Sequence, residues 1–141
     1  MSGTSTLSLP PDWERLVAAS RNARSMAYAP YSNYAVGAAV LTDDGQIFSG
    51  CNVENASYGL TVCAERVAVC SAVAAGFQKF AAVCVSLTGM PVPCGSCRQF
   101  LNEFNPQMIV LLDDLDQPAE NSPECVRLSD LLPRAFKLDS I

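Results

Sequence analysis

Apolar positions recur near helical spacing over residues 12–27, where Trp13, Leu16, Val17, Ala23 and Ala27 follow Pro10 and Pro11. This pattern predicts an amphipathic covering helix. Residues 28–34 break the periodicity with Pro30 and polar side chains, so they read as a loop whose tyrosines should line something. Residues 36–42 and 46–52 read as strands joined through Asp43-Asp44-Gly45, because Asp-Gly supplies the backbone angles a tight hairpin needs. A polar loop over 53–61 leads into an alanine- and valine-rich stretch, 62–75, that ends at Gly76 and reads as a buried helix with Cys63 in its first turn. The pattern then gives a strand at 80–87, a loop at 89–93, a helix at 94–104, a strand at 108–112 and a short helix at 129–132 that Pro133 interrupts. Strands alternating with helices predict an α/β fold, a sheet with helices packed on it.

At 141 residues the chain is expected to form one domain spanning 1–141, large enough to bury a core without disulfide staples. Nine basic against fourteen acidic residues give a net charge of −5. That balance argues against a polymeric nucleic acid partner, whose phosphates are neutralised mainly by Lys and Arg, and favours a small, neutral substrate. No run approaches the roughly 18–20 apolar residues of a membrane span. The first residues lack the basic start and apolar stretch of a signal peptide, so the expected location is the cytoplasm, with no membrane partner.

Seven cysteines are many for a cytoplasmic chain, and an odd number cannot all pair within it, so metal binding explains them better than a disulfide framework. Three carry a pattern. Cys94 and Cys97 form a Cys-x-x-Cys pair, and Cys63 lies 30 intervening residues upstream, room for a helix, a strand and a loop to bring the chain back beside its start. With no histidine in the sequence, three thiolates would leave the fourth tetrahedral position of a zinc ion open, as catalytic zinc requires. Both cysteine elements fall where a loop enters a helix, among unpaired N–H groups and the positive dipole end, which favours thiolates. Cys51, Cys70, Cys84 and Cys125 are expected to be small buried hydrophobes.

A cysteine triad accompanied by a glutamate that is not a ligand is the established signature of zinc deaminases, and Glu65, two residues after Cys63, fits the proton-moving role. That geometry requires Cys63 to sit at the very start of its helix. Three thiolates on one zinc ion carry a net charge near −1, which weakens its power to acidify water. Arg66 lies three residues after Cys63 and Arg98 four after Cys94, so each guanidinium is expected to approach a thiolate and withdraw charge.

The chain resembles cytidine deaminases of the small, homotetrameric class. The resemblance rests on Ala29-Pro30-Tyr31-Ser32, Val36-Gly37-Ala38, Gly50-Cys51-Asn52-Val53-Glu54-Asn55-Ala56, Cys63-Ala64-Glu65-Arg66, Pro93-Cys94-Gly95-Ser96-Cys97-Arg98-Gln99 and Leu131-Leu132-Pro133-Arg134-Ala135-Phe136. It implies a single-domain α/β/α sandwich with a five-stranded mixed sheet. It implies hydrolysis of cytidine and deoxycytidine to uridine and deoxyuridine with release of ammonia, within pyrimidine salvage. One zinc ion per subunit would be held by Cys63, Cys94 and Cys97. Its hydroxide would attack C4 while Glu65 shuttles protons. The backbone N–H of Ala64 would meet the ring carbonyl, Asn52 and Glu54 the ribose 3'-hydroxyl, and Tyr34, where relatives often have phenylalanine, the pyrimidine face. Ala56 and Tyr58 would reach the 5'-hydroxyl across an interface, and Phe136 would enter a neighbouring subunit's site, so active sites would be shared in a homotetramer.

Two other readings compete. A blasticidin S deaminase-like aminohydrolase shares zinc, Glu65 and the core, although Asn52-Val53-Glu54-Asn55 favours a nucleoside. A non-catalytic zinc module or redox Cys-x-x-Cys protein predicts a fourth cysteine ligand, or activity lost on thiol oxidation but indifferent to Glu65→Gln.

Overall fold

The computed structural model describes residues 7–138. Helix α1 (Trp13–Arg24) buries Leu16, Val17, Ser20 and Ala23 along one stripe. It ends three residues before the periodicity does, because Met26 and Ala27 donate to carbonyls three residues back, a tighter closing turn. Strands β1 (Gly37–Thr42) and β2 (Ile47–Cys51) form the expected antiparallel hairpin. Gly45 in its turn takes φ +91°, the left-handed region that glycine enters without steric cost.

After a 3₁₀ turn at Tyr58–Leu60 come α2 (Ala64–Ala74), β3 (Phe80–Leu87), α3 (Gly95–Phe104), β4 (Ile109–Asp114), β5 (Glu124–Arg127) and α4 (Leu128–Leu131). The sheet order is β2-β1-β3-β4-β5. Only the β3–β4 pair is parallel, with α3 as its crossover. β5 is the strand that the apolar pattern does not predict. It has four residues, of which Glu124 and Arg127 are charged, and it occupies the sheet edge, where short charged strands discourage pairing with other chains.

Alternation along the central strands sends side chains to two cores. Ala38, Val40, Val83 and Val110 pack with Ala68, Val69 and Ala72 of α2 and Leu101 of α3. Ala39, Leu41, Ala82, Cys84 and Leu111 pack with Leu16 and Val17 of α1. The result is helix, sheet, helix in three layers, so every position of β1 is buried. Two glycines permit this closeness. A Cβ on Gly37 would lie 2.0 Å from the Ser20 carbonyl oxygen of α1, and one on Gly50 would lie 2.5 Å from the Ala68 nitrogen of α2.

Cys84 and Cys125 are buried as expected, and burial pushes both thiols up, Cys84 to about 12. Cys51 and Cys70 depart from expectation. Cys51 sits half-buried on the edge strand β2, and Cys70 is exposed on the outer face of α2. Helical rotation places Cys70 away from Ala68, Val69 and Ala72, which face the sheet. Among the described residues no helix is long and apolar enough to cross a membrane.

Candidate metal centre and active site

Cys63 and Cys94 each occupy the residue just before a helix, in extended backbone conformation, and Cys97 lies in the first turn of α3. The first helical hydrogen bonds are Val67 N–H to the Cys63 carbonyl and Arg98 N–H to the Cys94 carbonyl. The N–H groups ahead of them, on Ala64 to Arg66 and Gly95 to Cys97, therefore have no helical acceptor and concentrate partial positive charge around the sulfurs. The three Sγ atoms lie within 4.8 Å of one another. Tetrahedral zinc with Zn–S near 2.3 Å needs sulfurs about 3.8 Å apart, so this donor set suits that ion with little rearrangement.

The thiols are electrostatically unequal. Hydrogen bonding from Cys97, then from Arg66, holds Cys63 down at about 5, whereas the same bond to Cys63 and burial push Cys97 up. Arg66 donates to Cys63 Sγ at 3.7 Å and to the Thr61 carbonyl at 3.3 Å. Its Nε is buried with no hydrogen-bond partner. Arg98 does not follow the expected pattern. It donates to the carbonyls of Pro93 at 2.8 Å and Leu131 at 3.0 Å, tying the segment before Cys94 to α4 instead of meeting a thiolate. Cys63 is equally extended, yet Arg66, three residues on, reaches its sulfur, whereas Arg98, four residues on, is engaged by the two carbonyls instead.

Glu65 is 4% exposed, and burial pushes its carboxyl up to about 7. Its position follows from Cys63 lying ahead of the helix, which lets residues two apart open onto one cleft. That cleft, of about 270 Å³, is lined by Tyr34, Val36, Asn52, Thr61, Cys63, Ala64, Glu65, Leu87, Met90, Val92 and Cys94. Thiols, carboxyl and aromatic ring therefore share one cavity, near the lower end of the roughly 300–1,000 Å³ typical of small-ligand sites.

A family profile described as the cytidine and deoxycytidylate deaminase zinc-binding region matches residues 11–113, which contain all three clustered thiols. The chain belongs to this family. It is similar to a cytidine deaminase of Sporosarcina psychrophila, 44% identical over 133 residues that cover 92% of this chain and 95% of the relative. A cytidine deaminase of Mycobacterium tuberculosis is 45% identical over 132 residues, covering 92% and 93%. The crystal structure of cytidine deaminase from Burkholderia pseudomallei superposes with a TM-score of 0.80 at 48% identity, over 87% of this chain and 98% of that one. The chain is thus an enzyme of the cytidine and deoxycytidylate deaminase family with zinc as its metal.

Within this deaminase the remaining predicted residues fall into three groups. Tyr34, Asn52 and Ala64 line the cysteine cleft. Glu54 instead lines an adjoining cleft with Tyr31, Ser32, Asn55, Tyr58 and Thr61, and Thr61 is common to both. The Asn52 amide accepts from Val36 N–H at 2.9 Å and donates to the Tyr34 carbonyl at 2.8 Å. The Glu54 carboxylate accepts from Tyr31 and Ser32 N–H and from the Ser32 hydroxyl, and the hydroxyl bond first of all holds it below the ordinary value. Ala56, Tyr58 and Phe136 are exposed and do not line this chain's cysteine cleft. Phe136 is 71% exposed, which excludes core packing within one chain, and its carbonyl accepts from the Gln99 side chain of α3.

Sequence reasoning missed Val36, Thr61, Leu87, Met90 and Val92 as cleft walls. For Val92 the available signal was its place just before Pro93-Cys94. For Leu87 it was the end of a strand, where α/β folds place their ligands.

Proposed function

We propose that this enzyme hydrolyses cytidine and deoxycytidine to uridine and deoxyuridine, consuming one water and releasing one ammonia. The observation that carries the reading is the clustering of three thiols, two of which, Cys63 and Cys94, line one cleft with a buried, proton-retaining Glu65. Near-full-length similarity to the cytidine deaminases above supports the same substrate class. Cys63, Cys94 and Cys97 would hold zinc, one ion per subunit. When bound, zinc supplies a Lewis acid that makes water acidic enough to ionise near neutral pH.

Glu65 takes a proton from the water that attacks C4 of the ring and delivers it to N3. It then takes that water's second proton from the new C4 hydroxyl and gives it to the departing amine as the C4–N bond breaks. A carboxyl held near 7 suits both directions of transfer. The Ala64 N–H, first in α2 and without a helical acceptor, is positioned to donate to the ring carbonyl. The Tyr34 ring packs on the pyrimidine face. Asn52 fixes the backbone of Tyr34 and Val36, and its remaining amide hydrogen, with Glu54 in the adjoining cleft, would serve the ribose 3'-hydroxyl.

Arg66 offsets thiolate charge through Cys63. Arg66→Gln should lower turnover about 10- to 100-fold while mostly retaining zinc, as measured by metal analysis beside initial rates. Unchanged turnover, or complete zinc loss, would refute that role.

Residues 1–141 form a single catalytic domain in this reading, working in the cytoplasm in pyrimidine salvage as a homotetramer. Exposed Tyr58 and Phe136, at 77% and 71%, support the assembly, since large aromatic side chains left to solvent favour an interface. Ala56, Tyr58 and Phe136 would then complete a neighbour's site, and a well-folded monomer with full turnover would refute this sharing.

The deciding experiment follows ultraviolet absorbance as zinc-loaded protein meets cytidine, with Glu65→Gln alongside at matched zinc content. Loss of the cytidine signal only with the unmodified enzyme is expected. No turnover by fully zinc-loaded protein would overturn the substrate assignment.

A further inference from the structure

The cysteine cleft has two walls drawn from distant parts of the chain. Tyr34 and Val36 form one, and Leu87, Met90 and Val92, leading to Cys94, form the other. One side-chain hydrogen bond joins them across 54 residues. The Tyr34 hydroxyl donates to the Thr88 carbonyl at 2.7 Å.

Both ends of this bond are braced. On the Tyr34 side, the backbone N–H donates to the Ser32 hydroxyl oxygen at 3.0 Å and the carbonyl accepts from Asn52 at 2.8 Å. On the other side, Gly89 takes φ +91° and its N–H donates to the Asp114 carboxylate at 3.2 Å. The peptide between Thr88 and Gly89 is therefore gripped from both directions. Beyond it, Met90 to Val92 are held by no backbone–backbone hydrogen bond among the described residues, although Met90 and Val92 form the cleft wall.

We propose that the Tyr34 hydroxyl is a positioning group, a clasp that sets the distance between the Tyr34 ring and the Met90–Val92 wall so that a flat pyrimidine fits between them. This rests on the cytidine reading of the cleft. The ring itself would survive as phenylalanine, but the clasp would not, and the loop would sample wider openings. Substrate binding then weakens, while the thiols and Glu65, anchored on α2 and α3, keep their geometry.

The test compares zinc-loaded Tyr34→Phe, Tyr34→Leu and Thr88→Ala with the unmodified enzyme. Tyr34→Phe should raise KM for cytidine about threefold to tenfold, as expected for one lost hydrogen bond, with kcat within about twofold, zinc content unchanged, and faster hydrogen exchange in peptides covering residues 87–94. Thr88→Ala keeps the accepting carbonyl and should match the unmodified enzyme in both readouts. If Tyr34→Phe is indistinguishable in KM and exchange while Tyr34→Leu is impaired, the ring alone matters and the clasp is overturned. A fall in kcat equal to the rise in KM would also overturn it. Exchange is read without substrate, so an unmodified enzyme inert toward cytidine would sink the proposed function, while the Tyr34→Phe exchange rates would still decide for or against the clasp.

Discussion

Two buried polar clusters lie on opposite faces of the same sheet and are built on opposite rules. Beneath α1, Arg21 grips the Asp113 carboxylate through two hydrogen bonds at 2.8 and 2.7 Å, Asp113 accepts from Ser86, and Ser86 meets Ser20 at 2.8 Å. Each of these side chains has a partner, and the network pins α1 to β3 and β4. Across the sheet, at the starts of α2 and α3, Glu65 is buried at a cost that keeps it protonated up to about 7, three thiols crowd together, and the Arg66 Nε has no partner. A satisfied network stabilises and specifies. An unsatisfied one holds free energy that a metal and a substrate can recover, so the difference separates scaffold from site.

Zinc removal is the largest expected contrast. Chelation should abolish deamination to background and restore it on adding zinc back, while exposing the Cys63 and Cys94 thiols to titration. Burial should leave Cys84 beneath α1 unreactive in both states. Equal protection of all thiols after chelation would break the assignment of the metal to this cluster.

Glu65→Gln should reduce turnover by about 10²- to 10⁴-fold, and its stability effect has a distinctive sign. The folded value near 7 lies above the ordinary 4.5. Between those pH values the folded state keeps a proton that the unfolded state has released, so stability of zinc-free enzyme falls as pH rises across that window. Melting of zinc-free samples should therefore show Glu65→Gln gaining on the unmodified enzyme between pH 5 and pH 8. A constant difference would contradict burial as the cause.

Asp113→Ala should do the reverse. It strands Arg21, whose side chain is 31% exposed and can still reach water, so the expected loss is about 1–3 kcal/mol by denaturant unfolding, with turnover per zinc-loaded molecule within about twofold. Loss of activity without loss of stability would place Asp113 in the site. Cys70→Ser, on the exposed face of α2, is the smallest expected change, within about 0.5 kcal/mol.

Much of this was legible in the chain. The Asp-Gly turn, the Gly76 helix stop and the bounds of β3 follow from local preferences, and each appears where the pattern puts it. β5 was illegible because its two buried residues, Cys125 and Val126, are too few to form a pattern and gain their place only by pairing with β4. The direction of Arg98 was illegible for a related reason. Its carbonyl acceptors belong to Pro93 and Leu131, and Leu131 lies 33 residues away.

The sequence by itself determined the chemistry. Three thiols and a carboxyl at helix entrances suit zinc and proton transfer wherever the helices go, because donor type and spacing are local properties. Tertiary structure decided what those groups experience. Burial of Glu65, the closeness of Cys63 to its two partners, the separation of Asn52 from Glu54 into adjoining clefts and the Tyr34–Thr88 bond all depend on segments far apart in the chain. Desolvation and hydrogen-bond geometry are set by whichever atoms the fold brings near, and a one-dimensional pattern contains neither.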